Sequence, residues 1–244
     1  MIRISVCSVV KTFYLLPPSV GAAAENMAAD WLLLEDFPDP MSARMRTYGW
    51  SAPAFTFGYG QKWGAARAAC PSDVDLIRRP TGGGLVDHRA DWTYALVLPP
   101  GHPLAEARAC DSYRAVHEAL AEGLTSVGVG CQLQKPNCQA PQANNFSVCF
   151  KQTERMDVVR ADDGRKIAGA AQKRTQQGLL FQGSVSRNAV GELKDWIGFA
   201  EIFAGNLGDK LGATPEQYRE RSWPEKKLAE TAARFAAREW NEKR

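Results

Sequence analysis

The residues best suited to chemistry fall in a few short stretches. Arg78-Arg-Pro-Thr-Gly-Gly-Gly84 carries a predicted strand into three consecutive glycines. Without a Cβ the backbone can touch a ligand and offer it N–H groups. Two arginines just upstream suit a phosphate or a carboxylate. Taken alone, the run also reads as a tight strand-to-strand turn with a surface arginine pair. Val86-Asp-His88 and Thr93-Tyr94 follow closely, and much later comes Lys166-Ile-Ala-Gly169-Ala-Ala-Gln172. There a lysine on a predicted strand leads into small residues and an expected turn, so an ammonium can point at a ligand while the backbone stays near. Cys149 stands before Phe150, at the end of a polar loop. A thiolate is an effective nucleophile. A free cysteine also serves simply as a small buried apolar group.

Other chemistries lack their residues. No GxxxxGK precedes a Ser or Thr, and Gly58-Tyr-Gly60 runs into Gln-Lys-Trp, so neither a phosphate-binding P-loop nor a dinucleotide fingerprint is present. There is no GxSxG elbow. His88, His102 and His117 form no HExxH pair, and the six cysteines form no CxxC. No metal site is therefore expected, and the thiols read as reduced, in a cytoplasmic protein. Thirty basic against 27 acidic residues leave a net charge of +3. That is no footprint for nucleic acid. No apolar run reaches the roughly 18 residues of a membrane span. Met1 to Leu16 is mildly apolar but is interrupted by Lys11, which argues against an export signal.

The 244 residues, 45% hydrophobic and 23% charged, are ordinary for a folded chain. A helix is predicted over 26–36, with Met27, Trp31 and Leu34 on one face. Short strands are predicted over 44–48, 54–59 and 76–79, and a stronger one over 92–98, stopped by Pro99-Pro-Gly101. A helix over 112–127 should be capped by Asp111 or Ser112. A loop is expected over 132–145. A hairpin over 156–167 should turn at Asp162-Asp-Gly164, and another strand covers 178–185. Ser222-Trp-Pro-Glu225 reads as a capping box, followed by a helix with Leu228, Phe235 and Trp240 on its apolar stripe. Strands and helices mix without βαβ alternation, which argues for an α+β fold with a mixed or antiparallel sheet.

Together these stretches resemble the biotin/lipoate A/B protein ligase family, in its lipoate–protein ligase and cysteine-dependent octanoyltransferase branches. The matching segments, in family order, are Asn26–Asp30, Tyr48-Gly-Trp50, Gly58–Gln61, Arg78–His88, Thr93-Tyr94, Cys149-Phe150, Lys166–Gly169 with Ala171-Gln172, and Gln182-Gly-Ser184. The resemblance implies a large mixed sheet flanked by helices plus a smaller sheet, like class II aminoacyl-tRNA synthetases and biotin protein ligases. It implies a leader or first strand over 1–12, one catalytic domain over 13–205, and a helical extension packed on it over 206–244.

The function implied is transfer of an octanoyl or lipoyl group from a thioester on acyl carrier protein or a lipoyl domain to a lysine of a lipoyl carrier domain. Cys149 would carry the acyl group, assisted by Lys166, and no cofactor would be needed. Acyl or substrate binding falls to Arg78, Arg79, Thr81, Gly82, Gly83, Gly84, His88, Tyr94, Gly169, Ala171, Gln172, Gln182, Gly183 and Ser184. Within this set Arg79 would hold the donor's polar end and His88 would anchor the glycine loop rather than act as a base. Tyr94, and the absence of an accessory C-terminal domain, resemble the transferases. The alternatives are an ATP- and Mg-dependent lipoate ligase working through lipoyl-AMP, and a non-catalytic relative that binds the acyl group or carrier domain. Phe181 stands where relatives often have His, and Trp92 where leucine is usual; both are expected to reshape the acyl tunnel. Biotin transfer is not implied, since the GRGRxGR loop is missing.

Overall fold

The computed structural model describes residues 10, 12–134, 154, 156–220 and 223–243. In chain order the elements are β1 (Phe13–Leu15), β2 (Ser19–Gly21), α1 (Ala23–Glu35), β3 (Ala43–Trp50), β4 (Ala54–Phe57), α2 (Trp63–Ala68), β5 (Asp75–Arg78), β6 (Val86–Asp87), β7 (Asp91–Leu98), α3 (Pro103–Glu106), α4 (Ala109–Ser126), β8 (Cys131–Leu133), β9 (Val158–Arg160), β10 (Lys166–Thr175), β11 (Gly178–Ser186), α5 (Arg187–Val190), α6 (Trp196–Leu211), β12 (Pro215–Gln217), α7 (Glu225–Ala236) and α8 (Arg238–Asn241).

Among the described residues the large sheet runs β12-β1-β3-β7-β11-β10-β9-β8, with β2 added beside β3; a second sheet runs β5-β4-β6. Pairing is parallel from β12 through β1 to β3 and antiparallel from β3 to β8, so the sheet is mixed and the fold is α+β. Every residue of β7 is buried, because both faces of this central strand are covered. Trp92, Tyr94, Leu96 and Leu98 pack toward α4 and α6 with Phe181, Phe199, Phe203 and Leu207. Ala95, Val97 and Leu180 turn to the other face, toward Leu33 and Leu34 of α1. Trp92 meets Phe199 edge-on at 5.2 Å and Tyr94 meets Phe203 at 5.1 Å. Such pairs each add about 0.5–1.5 kcal/mol beyond area burial.

Several expectations need correction. Helix α4 starts at Ala109 with Arg108 at its cap and no side-chain cap; Ser112 lies within the first turn, where its hydroxyl donates to Ala109 O at 3.1 Å. Gln132 and Leu133 belong to β8, not to a loop. The small residues after Lys166 do not turn: they continue β10 to Thr175, because β11 hydrogen-bonds along them from Ala168 onward. The boundary drawn at 205 falls inside α6, whose Phe203 and Leu207 share one core. Trp240 lies on the separate helix α8. Helix α7 begins at Glu225 with Pro224 at its cap. Ser222, most of the leader, most of the polar loop, Cys149 and Phe150 lie outside the described residues. No helix among those described is long and apolar enough to cross a membrane.

Candidate acyl-binding site

Strand register decides which side chains reach the site. Gly169, Ser184 and Thr93 are cross-strand partners on β10, β11 and β7, and Ala171 partners Gln182 two residues along. Cross-strand partners share a face. These five residues line one cavity, joined by Met27 of α1, Tyr48 of β3, and Thr56, Arg79, Gly83, Val86 and His88 from the small-sheet side; Ala170 and Gly183 also line it, and the space is narrow and partly open. The cavity therefore lies between the two sheets, roofed by the glycine loop.

The loop is held by its own arginine. Arg79 donates to Gly82 O at 2.6 Å, Gly84 O at 2.8 Å and Thr56 Oγ1 at 3.1 Å. These donors shape the loop, and Arg79 also lines the cavity. Gly83 has φ of +84° and lies over Ala171, with a built Cβ 3.7 Å from that methyl. Gly58 packs so tightly beneath Gly82 and Gly83 that any Cβ would strike their backbone. Arg78 is fully buried, donates to the carbonyls of Tyr59, Gln61, Trp240 and Asn241, and is not among the residues that line the cavity.

Two buried networks position the walls. In one, His88 bridges the sheets, with Nδ1 2.7 Å from Asp91 Oδ2 and Nε2 2.8 Å from Thr56 Oγ1, its ring stacked on Trp50 at 4.0 Å. Asp91 Oδ2 also accepts from Ser184 Oγ at 2.5 Å and Thr93 Oγ1 at 3.2 Å. The carboxylate is the hub, and Ser184 is bonded to it rather than to the imidazole, so this is not a Ser-His-Asp nucleophile. In the other network, Thr81 Oγ1 donates to Gln182 Oε1 at 2.7 Å and Gln182 Nε2 donates to Asp30 Oδ2 at 2.7 Å. Asp30 also accepts from Tyr48 OH at 2.7 Å and pairs with Arg46 at 2.5 Å. Burial raises the Asp30 carboxyl above its ordinary range, while Arg46, Gln182 and Tyr48 oppose it. Burial and the Asp30 charge push the Tyr48 phenol well up, so it stays a neutral donor.

Lys166 opens β10, where a register shift between Lys166 and Ala168 re-aims the strand. The residue is 4% exposed, and its ammonium sits 2.7 Å from Asp157 Oδ2. Asp157 in turn accepts the Glu154 N–H at 2.6 Å. A Cβ built on Gly169 would fall 2.8 Å from Lys166 Nζ, so the ammonium lies against this glycine of the cavity wall. The glycine loop and the lysine strand thus flank a single cavity.

Other expected binding residues point elsewhere. Tyr94 packs behind Gly183 on the α6 face, where a side chain on that glycine would collide with its ring. Gln172 partners Phe181 and faces α4, donating to Ser112 Oγ at 3.1 Å. Phe181 meets Tyr113 edge-on at 5.7 Å on that far face, and Trp92 packs on Trp196 and Phe199. Neither reshapes the cavity. Arg46, Thr56, Asp91 and Asp157 were not foreseen as site residues. Met27, Asp30, Tyr48 and Thr93 were visible only as parts of matching motifs. Among the described residues no group of His, Cys, Asp and Glu is placed to hold a metal, and Cys70, Cys110 and Cys131 are free.

Residues 22–198 match the family model of the lipoyl protein ligase A/B catalytic domain. The chain is 31% identical over 182 residues to an octanoyltransferase LipM of Kyrpidia tusciae, covering 72% of this chain and 66% of that protein. It is 28% identical over 183 residues to the octanoyltransferase LipM of Bacillus subtilis, covering 72% and 65%. The aligned stretch thus spans just under two thirds of each relative. Among solved structures, lipoate-protein ligase A bound with ATP superposes with a TM-score of 0.67 at 18% identity, over 96% of this chain and 98% of that one. The bipartite lipoate protein ligase of Thermoplasma acidophilum gives 0.66 at 18% identity, over 96% of each chain. At such identity these structures speak for the fold alone.

Proposed function

This chain belongs to the lipoyl protein ligase A/B catalytic-domain family, and from that premise we propose that it moves an octanoyl group from a thioester donor to a lysine of a lipoyl carrier domain. The observation that carries the reading is the buried Lys166–Asp157 ion pair packed directly behind Gly169, itself a wall residue of a cavity lined mostly by glycines, small side chains and hydrogen-bonding groups, with Arg79 at its loop side. Such a cavity suits an acyl chain whose carbonyl develops negative charge beside the ammonium. The arginines beside the glycine loop turn these donors onto main-chain carbonyls, which favours a thioester over a phosphate-bearing adenylate. The naming of the sequence relatives as octanoyltransferases supports the same choice.

In this mechanism the Cys149 thiolate attacks the donor carbonyl. A new C–S bond forms, the donor's C–S bond breaks, and the departing thiol takes the proton that Cys149 gave up. The carrier lysine, as a neutral amine, then attacks the acyl-enzyme. An amide C–N bond forms, the C–S bond to Cys149 breaks, and the proton lost by the amine returns to the thiol. Lys166 lowers the cost of thiolate and oxyanion alike. The donor is an acyl carrier protein or a second lipoyl domain, and the reaction takes place in the cytoplasm without ATP.

The test mixes the protein with octanoyl-loaded acyl carrier protein and an unmodified lipoyl domain, with no nucleotide. The lipoyl domain should gain one octanoyl mass in hydroxylamine-resistant linkage. Modification only with free acid, ATP and Mg would replace this reading by the ligase. No modification under either regime would favour a carrier-binding protein.

A further inference from the structure

Strand β5 is the outer strand of its sheet, paired on one side with β4, and it leads directly into the loop that roofs the cavity. On its open side lies not another strand but the end of the chain. Asn241 Oδ1 accepts the Arg78 backbone N–H at 2.7 Å, and Trp240 Nε1 donates to Arg78 O at 2.6 Å. Both main-chain groups of the last β5 residue are thus taken by α8, as a neighbouring strand would take them. The Arg78 guanidinium completes the joint. Its Nη2 donates to Asn241 O at 2.8 Å, and its Nη1 donates at 2.7 Å to both Tyr59 O and Gln61 O. The Tyr59 N–H in turn donates to Thr81 O at 2.8 Å, inside the loop. Asn241 is itself anchored, donating to Phe235 O at 2.7 Å and Ala237 O at 3.0 Å. Trp240 packs on Tyr59 and Phe235, and Lys243 Nζ lies 3.6 Å over the Trp240 ring.

We propose that the segment 237–243 is a strap that sets the height of the Arg79–Leu85 roof over the cavity, with Trp240 and Asn241 as positioning residues for acyl-donor binding. The segment lies beyond the stretch matched by the family model, which ends at residue 198. The loop is also tied by Thr81 to Gln182, by the Arg79 side chain to Thr56, and by the Arg79 N–H to Phe57 O of β4 at 3.0 Å. Freeing the α8 side of β5 therefore loosens the roof about these contacts while the large sheet stays intact. The acyl-binding consequence rests on the proposed function; the mechanical coupling does not.

The experiment uses the full chain and its Asn241→Ala, Asn241→Asp and Trp240→Phe variants. Hydrogen exchange should rise about tenfold in the peptide covering 79–85 of Asn241→Ala, as expected for one lost hydrogen bond at the joint. Asn241→Asp keeps an acceptor for the Arg78 N–H but loses the donor to Phe235 O and Ala237 O, so exchange should rise in it as well. Peptides from β7, β11 and α4 should be unchanged. In transfer assays the KM for octanoyl thioester should rise by a similar factor, with kcat close to that of the parent. Should Asn241→Ala fail to fold, Trp240→Phe, which loses the Nε1 bond to Arg78 O and keeps an aromatic ring there, carries the same test. Unchanged loop exchange, or a rise spread evenly over the molecule, would overturn the strap. Selective loop exchange with an unchanged KM would overturn its role in donor binding. If the parent transfers nothing, the exchange data still decide the coupling, and the functional reading alone falls.

Discussion

Lys166→Ala lowers kcat for octanoyl transfer by about 10²–10³, or about 2.7–4 kcal/mol, the usual loss for one donor to a developing oxyanion, and changes the KM for the donor little. The argument begins with placement. Lys166 is buried, so its charge acts in a medium that screens poorly. Asp157 holds it at 2.7 Å, and the missing side chain at position 169 lets it lie against the cavity wall. Charge on the substrate carbonyl appears only in the transition state, so the lost interaction shows in kcat. Arg79→Ala should behave differently, because its donors to Gly82, Gly84 and Thr56 shape the roof. Its loss loosens substrate binding and raises KM first. Steady-state kinetics on both variants check the split. Equal losses of kcat would refute the assignment of roles.

Asp30→Ala destabilises the fold by about 3–5 kcal/mol, the range for breaking a buried ion pair from one side. Asp30 is fully buried and Arg46 is 5% exposed. Removing the carboxylate takes the counter-charge from the guanidinium, which keeps only neutral acceptors on Asn26 and Ser19, and takes the Asp30 acceptor from the Tyr48 hydroxyl and the Gln182 amide. Urea unfolding should show a lower midpoint at constant m. Replacing both partners, with Asp30→Leu and Arg46→Met, should recover a large part of the loss, since no charge then stays buried unpaired. A loss below about 1 kcal/mol in the single variant, the size of one ordinary hydrogen bond, would mean that the bonds Arg46 already makes to Asn26 and Ser19 suffice to hold its charge.

Much of the fold was legible because its signals are local. The alternation in β7 and the Asp162-Asp-Gly164 turn between β9 and β10 depend on neighbours in sequence. Gly164 takes φ of +70° at that turn. Helix α6 was missed, although Asp195 caps it by accepting the Gly198 N–H at 2.8 Å and Gly212 ends it at φ +70°. Glycines at 198, 205 and 208 disguise its Trp196, Phe199, Phe203, Leu207 stripe. The three-residue strands β1 and β12 exist only because they pair with one another and with β3, which no local pattern announces.

At the site, unusual composition made the glycine loop and Lys166 visible, but their partners come from far away. Asp30 meets Gln182 across 152 positions, and no spacing rule links them. The misplacement of Tyr94 and Gln172 has a simpler cause. Strand period puts Gln182 and Ser184 on one face of β11 and Phe181 on the other, with Gln172 beside Phe181. Reading the resemblance as a set of residues, without that period, assigned both faces to one cavity.

The most direct test of the account is the state of Cys149 after incubation with octanoyl thioester alone, without ATP or acceptor. Intact-mass and peptide analysis should find one octanoyl group on Cys149, released by hydroxylamine and absent from Cys149→Ser, whose hydroxyl stays protonated and attacks poorly. An unmodified Cys149, full transfer activity in Cys149→Ser, or acylation that requires ATP would contradict the acyl-enzyme at the centre of the account.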